Sequence, residues 1–133
     1  MSGGPGRAGS GPVRSGGGGL RVVDDPIAAA PLVDWGPISP AKTGDEASRT
    51  RGVLLHKGEG GSPETGIWEC TPGTWDCHVT RDEFCHFLTG RCVYTHESGE
   101  RTMIRGGVAA FFPAGWRGRC EVIETVRKVY MIR

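Results

Sequence analysis

The chain has 133 residues, 23% of them charged, and a formal net charge of +1; this length holds one domain, and the balanced charge offers no electrostatic footprint for nucleic acid. Its apolar stretches run only a few residues, far short of the ~20 that a membrane-spanning helix needs. The opening "MSGGPGRAGSGPVRSGGGGL" lacks the ~7–15-residue apolar run of a secretory signal, so no membrane partner is expected and the chain reads as cytoplasmic. Cysteines at 70, 77, 85, 92 and 120 form no C-x-x-C pair, and a glutathione-buffered cytosol keeps such thiols reduced.

Residues 1–19 are mostly Gly, Pro, Ser and Arg. They have almost nothing to bury, and a disordered tail is expected. From 20 to 50, prolines at 26, 31, 37 and 40 alternate with apolar Val22, Val23, Ile27, Leu32, Val33 and Trp35. That density rules out a regular helix. An extended arm follows, lying across the main domain or a neighbouring subunit.

Residues 51–133 change texture. "RGVLLHKG", "TGIWEC", "TWDCHVT", "EFCHFLTG", "RCVYTHE", "RTMIRG", "VAAFFPAG", "RCEVIE" and "VRKVYMIR" have strand length and strand composition, and "HESGER" and "RGGV" supply turn chemistry between them. Many short, evenly spaced strands mean an all-β antiparallel sandwich or barrel. A core of roughly 80 residues buries a modest share of its unfolded surface. A homodimer would supplement it.

The phrases "GIWECTPGTW", "DEFCHFLTGR", "FFPAGWRG" and "ETVRKVYMI" together resemble the cupin superfamily, in its small single-domain branch related to ureidoglycine aminohydrolase and to an ethanolamine-utilisation protein. The resemblance covers about 52–133 and implies a jelly-roll β-barrel. The family's first motif runs Gly, His-x-His, three or four residues, Glu, six residues, Gly. Here Glu83 and Gly90 keep their spacing, His78 takes the second histidine, Asp76 the first, and Cys70 the leading glycine. In the second motif Gly107, Pro113 and Gly115 match, with Gly118 at the histidine position.

Residues 76 and 78 are two apart on a strand and therefore share a face; Glu83 follows across a turn on the next antiparallel strand. Asp76, His78 and Glu83 are thus expected to converge inside the barrel. As donors they suit one divalent ion, Mn, Fe, Ni or Zn. The alternative is a metal-free polar cluster around a ligand. Cys120, two residues beyond Gly118, is a candidate fourth donor, or else a small apolar filler.

Cys85 and Phe87 share the parity of Glu83, and with Trp75 they are expected to shape the pocket. Cys85 near His78 is also a candidate nucleophile, against the more ordinary role of a small buried hydrophobe. His86 has the opposite parity and should point away. Trp116 falls at the barrel rim, and Arg117 and Arg119 read as outward, solvated charges.

The expected ligand is a small polar metabolite. If the protein is an enzyme, Glu83 moves protons in a hydrolysis, isomerisation or lyase step, and the resemblance implies amide or ureide chemistry. If it is a non-catalytic binding or assembly module, the arm and outward apolar positions such as Leu88 carry the function.

Overall fold

The structure, a computed structural model, describes residues 11–38 and 48–133. Residues 1–10 of the expected tail and 39–47 of the expected arm lie outside the described residues. Ten strands follow one another: β1 (Arg14–Ser15), β2 (Arg21–Val22), β3 (Val33–Pro37), β4 (Arg49–Lys57), β5 (Glu64–Cys70), β6 (Gly73–His78), β7 (Glu83–His96), β8 (Arg101–Arg105), β9 (Ala109–Phe112) and β10 (Arg117–Ile132). All their pairings are antiparallel. The fold is the all-β jelly-roll barrel expected from the sequence. No described helix is long and apolar enough to cross a membrane.

Two long strands organise the barrel. The sheet runs β3-β4-β5-β10-β7-β8, with β6 also on β10 and β9 also on β7. The first part of β10 lies between β6 and β7, and its last part between β5 and β7. β7 changes partner in the same way, from β9 to β8. Gly90 allows the change: its φ is +89° and an added Cβ would meet Thr125 O at 2.1 Å. Only glycine permits so close a backbone approach, and the ladder is interrupted here between Val122 and Lys128.

Inside, Phe87, Cys85, Cys92, Ile104, Cys120 and Val126 are almost wholly buried, with Trp75, Tyr94, Phe112 and Tyr130 around them. Outside, the N-terminal arm covers part of β4 and β5. Val13, Ala29, Val53 and Ile67 form a second buried cluster there. Arg127 fastens the arm, donating to the carbonyls of Pro26 (3.0 Å), Ile27 (3.0 Å) and Ala29 (2.9 Å) and to Glu69 Oε2 (3.1 and 3.2 Å).

Ordered pairing begins earlier than the expected boundary at residue 20. β1 pairs with β2, and Arg14 makes two 2.7 Å bonds to Asp24. The physical reason is Val13, an apolar side chain in a Gly-rich stretch that finds a buried place beside Ala29.

Candidate functional site

On β6 the inward residues are Trp75 and Cys77, followed by buried Val79, while Asp76 and His78 are exposed. The expected convergence of Asp76 and His78 with Glu83 is therefore corrected. A shift of one residue exchanges every side chain between the two faces. The loop joining β6 to β7 decides the shift: Val79 N–H donates to Trp116 O (2.9 Å) and Val79 O accepts from Gly115 N–H (2.7 Å), seating Val79 inside. Three residues then separate Val79 from Glu83, so Cys77 and Val79 occupy the inward positions of the first motif. Asp76 pairs across the outer surface with Arg119, 4.0 Å away.

The four expected metal donors are not brought together. Asp76 faces out, His78 stands exposed at the rim, Glu83 faces the barrel cavity, and Cys120 is fully buried in the core opposite Trp75 and Tyr94. Among the described residues no group of three or more His, Cys, Asp or Glu is arranged to hold a metal ion. Cys77, Val79, Glu83 and Gly118, the residues at the inward motif positions, include no imidazole and only one carboxylate. That donor set does not fit the divalent ion implied by the family resemblance.

A cavity of about 310 Å³ opens at this end of the barrel. Its apolar walls include Trp68, Trp75 and Phe112 from the barrel and Trp35 and Ile38 from the arm. The polar wall is built around Lys128, whose Nζ donates to Glu83 Oε2 at 2.7 Å with the two side chains 8% and 17% exposed. The ammonium also lies 4.5 Å from the Trp68 ring centre and 5.6 Å from that of Phe87, a cation–π arrangement. Burial alone would lower the Lys128 pKa, but Glu83 and Cys85 beside it together outweigh burial and raise it above the ordinary lysine value.

Glu83 Oε2 also accepts from the Cys85 thiol at 3.2 Å. Among the described residues Glu83 Oε1 carries no hydrogen bond, and Glu83 lines the cavity. A second carboxylate, Glu64, accepts from Tyr130 O–H at 2.8 Å and lies 3.6 Å from Arg81. Both Glu64 and Arg81 line the same cavity.

Cys85 is not an activated nucleophile: burial pushes its thiol up to about 12, and its proton is directed at Glu83 rather than at an imidazole. Phe87 is fully buried beneath Lys128, and Trp75 packs edge-on against Trp68 and Tyr94 at 6.3 and 6.4 Å. His86, Arg117 and Arg119 are exposed on the outer surface as their parity required. Trp116 closes the rim against Phe112, Tyr94 and His96.

Lys128, Tyr130, Glu64 and Trp68 were missed in the sequence. One signal was present. In "TVRKVYMI" residues 126, 128, 130 and 132 share a face, and a lysine between a valine and a tyrosine on an inward face has to be paired.

A EutQ-like cupin domain model matches residues 57–130. The chain belongs to that family, and its barrel is that of a small single-domain cupin. Ethanolamine utilization protein Q from Salmonella typhimurium LT2 is similar in structure, with 21% identity, 90% of each chain covered and a TM-score of 0.68. The EutQ protein of Clostridium difficile shares 16% identity over 90% of this chain and 91% of that one, with a TM-score of 0.70. A DUF861-family protein of unknown function from Pseudomonas syringae shares 21% identity over 86% of this chain and 48% of the other, with a TM-score of 0.72. At these identities the likenesses concern the fold. No curated protein matches the chain.

Proposed function

We propose that the protein binds a small polar metabolite in the end cavity of its barrel and does so without a metal. The observation that carries this reading is the Glu83–Lys128 pair, buried at the wall of an open cavity. Desolvating two charges costs several kcal/mol, and a core needing only stability does as well with apolar residues of similar volume. A pair kept at a cavity wall serves the space it faces.

The chemistry of the wall favours a ligand rich in N–H donors. Glu83 Oε1 and the Glu64 carboxylate are acceptors, Lys128 and Arg81 balance their charge, and indole faces flank them. A neutral amide or ureide meets these groups without importing net charge, in keeping with the ureidoglycine aminohydrolase resemblance. Five free thiols, four of them buried, fit a cytoplasmic location.

A catalytic role is the second reading, favoured by one observation: Lys128 and Cys85 both engage Oε2 of Glu83, and Oε1 of this cavity-lining residue has no hydrogen bond among the described residues. That oxygen is placed to accept a proton from a bound ligand.

The test is thermal shift and calorimetry with a panel of small amides and ureides, run with and without a chelator. Stabilisation that survives chelation and is lost in Glu83→Gln supports the binding reading. If no panel member binds, or if Glu83→Gln binds as tightly as the parent, that reading fails. Turnover abolished by Glu83→Gln would establish the catalytic one.

The assembly we propose is a homodimer of this chain. Phe111, Phe84 and Met131 are cross-strand neighbours on β9, β7 and β10, exposed by 61%, 52% and 47%. They form one outward apolar row that the described residues of the arm leave uncovered.

A further inference from the structure

We infer that the N-terminal arm is a working wall of the binding site, that Trp35 is its size-determining residue, and that Arg127 couples the seating of the arm to the cavity; this rests on the binding reading above.

Trp35 reaches the cavity through three local features. β3 is an edge strand whose pairing with β4 shifts register between Asp34 and Gly36, and such a bulge re-aims the side chain beside it. Gly36 takes a φ of +83°, and its N–H donates to Asp34 Oδ1 at 2.8 Å. The Trp35 ring then lies over the bare backbone of Gly52, where an added Cβ would come within 2.3 Å of two ring carbons. Ile38, held by its N–H to Ser48 O at 2.9 Å, lines the cavity beside it.

The attachment of this wall is tied to the polar wall through neighbouring residues. Arg127 pairs across strands with Glu69, and Lys128 with Trp68. The first pair faces out and binds the arm at Pro26, Ile27 and Ala29. The second pair faces in, with the ammonium 4.5 Å from the indole. Displacing the arm removes the main-chain acceptors of a guanidinium only 10% exposed. Arg127 then keeps only Glu69, and its backbone is continuous with that of Lys128. A ligand that needs Lys128 and Glu83 in place therefore needs the arm seated, and the indole of Trp35 limits what fits beneath it.

The experiment needs no identified ligand. Arg127→Gln is compared with the parent by hydrogen exchange over residues 21–38, and acrylamide, itself a small amide, is used as quencher of Trp68 and Trp75. Quenching is measured with Trp116 replaced by Phe throughout, so that Trp68 and Trp75 alone report, in a Trp35→Phe background and with Trp35→Ala as the wall deletion. Arg127→Gln should speed exchange of arm amides at least tenfold, and both Arg127→Gln and Trp35→Ala should raise the quenching constant at least twofold over Trp35→Phe. Faster arm exchange with unchanged quenching would show that the arm is not a wall of the cavity. Unchanged exchange would show that Arg127 is not its fastening. Should Arg127→Gln fail to fold, Arg127→Lys, which retains a charge for Glu69 but cannot reach three carbonyls at once, takes its place with the same two expectations. If quenching rises as expected while no amide or ureide binds the parent, the arm wall stands and the ligand reading falls.

Discussion

Arg127 and Lys128 are adjacent in β10, yet they serve opposite sides of one sheet: Arg127 holds the arm outside, and Lys128 holds Glu83 inside at 2.7 Å. Strand alternation imposes the split. Two buried cations at consecutive positions tie the covering layer to the cavity.

Removing one member of the inner pair should cost far more than removing both. Lys128→Met leaves the Glu83 carboxylate half-buried and uncompensated, and Glu83→Met leaves the ammonium; each is expected to destabilise the fold by ~3–5 kcal/mol. The Lys128→Met, Glu83→Met double variant should recover most of that loss. Urea denaturation of the four proteins checks the cycle. Additive losses would show that the two groups are not coupled.

The outer network predicts the acid limb of stability. Burial alone would raise the Glu69 pKa, but Arg51 and Arg127 outweigh it and hold the carboxyl below 4.5. A carboxylate with a depressed folded pKa contributes stability in full above its unfolded value, and the contribution is lost as pH falls through the folded one. The arm should therefore loosen below about pH 4.5, the ordinary carboxyl range. Glu69→Gln should flatten that part of the stability curve and weaken the fold at neutral pH. An unchanged acid limb in Glu69→Gln would assign it to other carboxylates.

At the other end of the scale, Lys128 has its pKa raised, so its contribution is complete below the unfolded lysine value and disappears as pH rises through the folded one. Lys128→Met lacks this titration, so the advantage of the parent over the variant should be constant up to about pH 10 and shrink above it. Denaturant midpoints between pH 9 and pH 11 measure the difference.

The thiols should be slow. Burial raises Cys70 and Cys77 to about 11 and Cys85 to about 12, leaving a thiolate fraction at pH 8 well below that of a free cysteine near 8.5. Alkylation by iodoacetamide should run at least tenfold slower than for glutathione. Half-buried Cys77 should react first, and buried Cys70, Cys85, Cys92 and Cys120 only with unfolding. Rapid labelling of Cys85 in the folded protein would restore it as a candidate nucleophile.

The exposed row bears on assembly. Light scattering at micromolar concentration should give twice the chain mass, and Phe84→Glu, which places a charge between Phe111 and Met131, should give the chain mass with the fold intact. A monomeric parent would end the dimer proposal.

What composition and spacing carried was the strand texture, the turn positions, the inward parity of Cys85 and Phe87, the outward parity of His86, and an arm that needed a surface. These follow from local rules: β-branched runs, glycine and proline punctuation, and a side-chain period of two. The period tells which residues share a face but not which face is inside. For β6 that sign was set by Trp116 O and Gly115 N–H, which seat Val79 and so turn Asp76 and His78 to solvent. The cavity wall was equally beyond a local reading. Lys128 meets Glu83 across 45 residues, Tyr130 meets Glu64 across 66, and Arg127 reaches Ala29 across 98. Partners so distant come together through the sheet order β5-β10-β7, which long-range pairing creates and no short window of sequence contains.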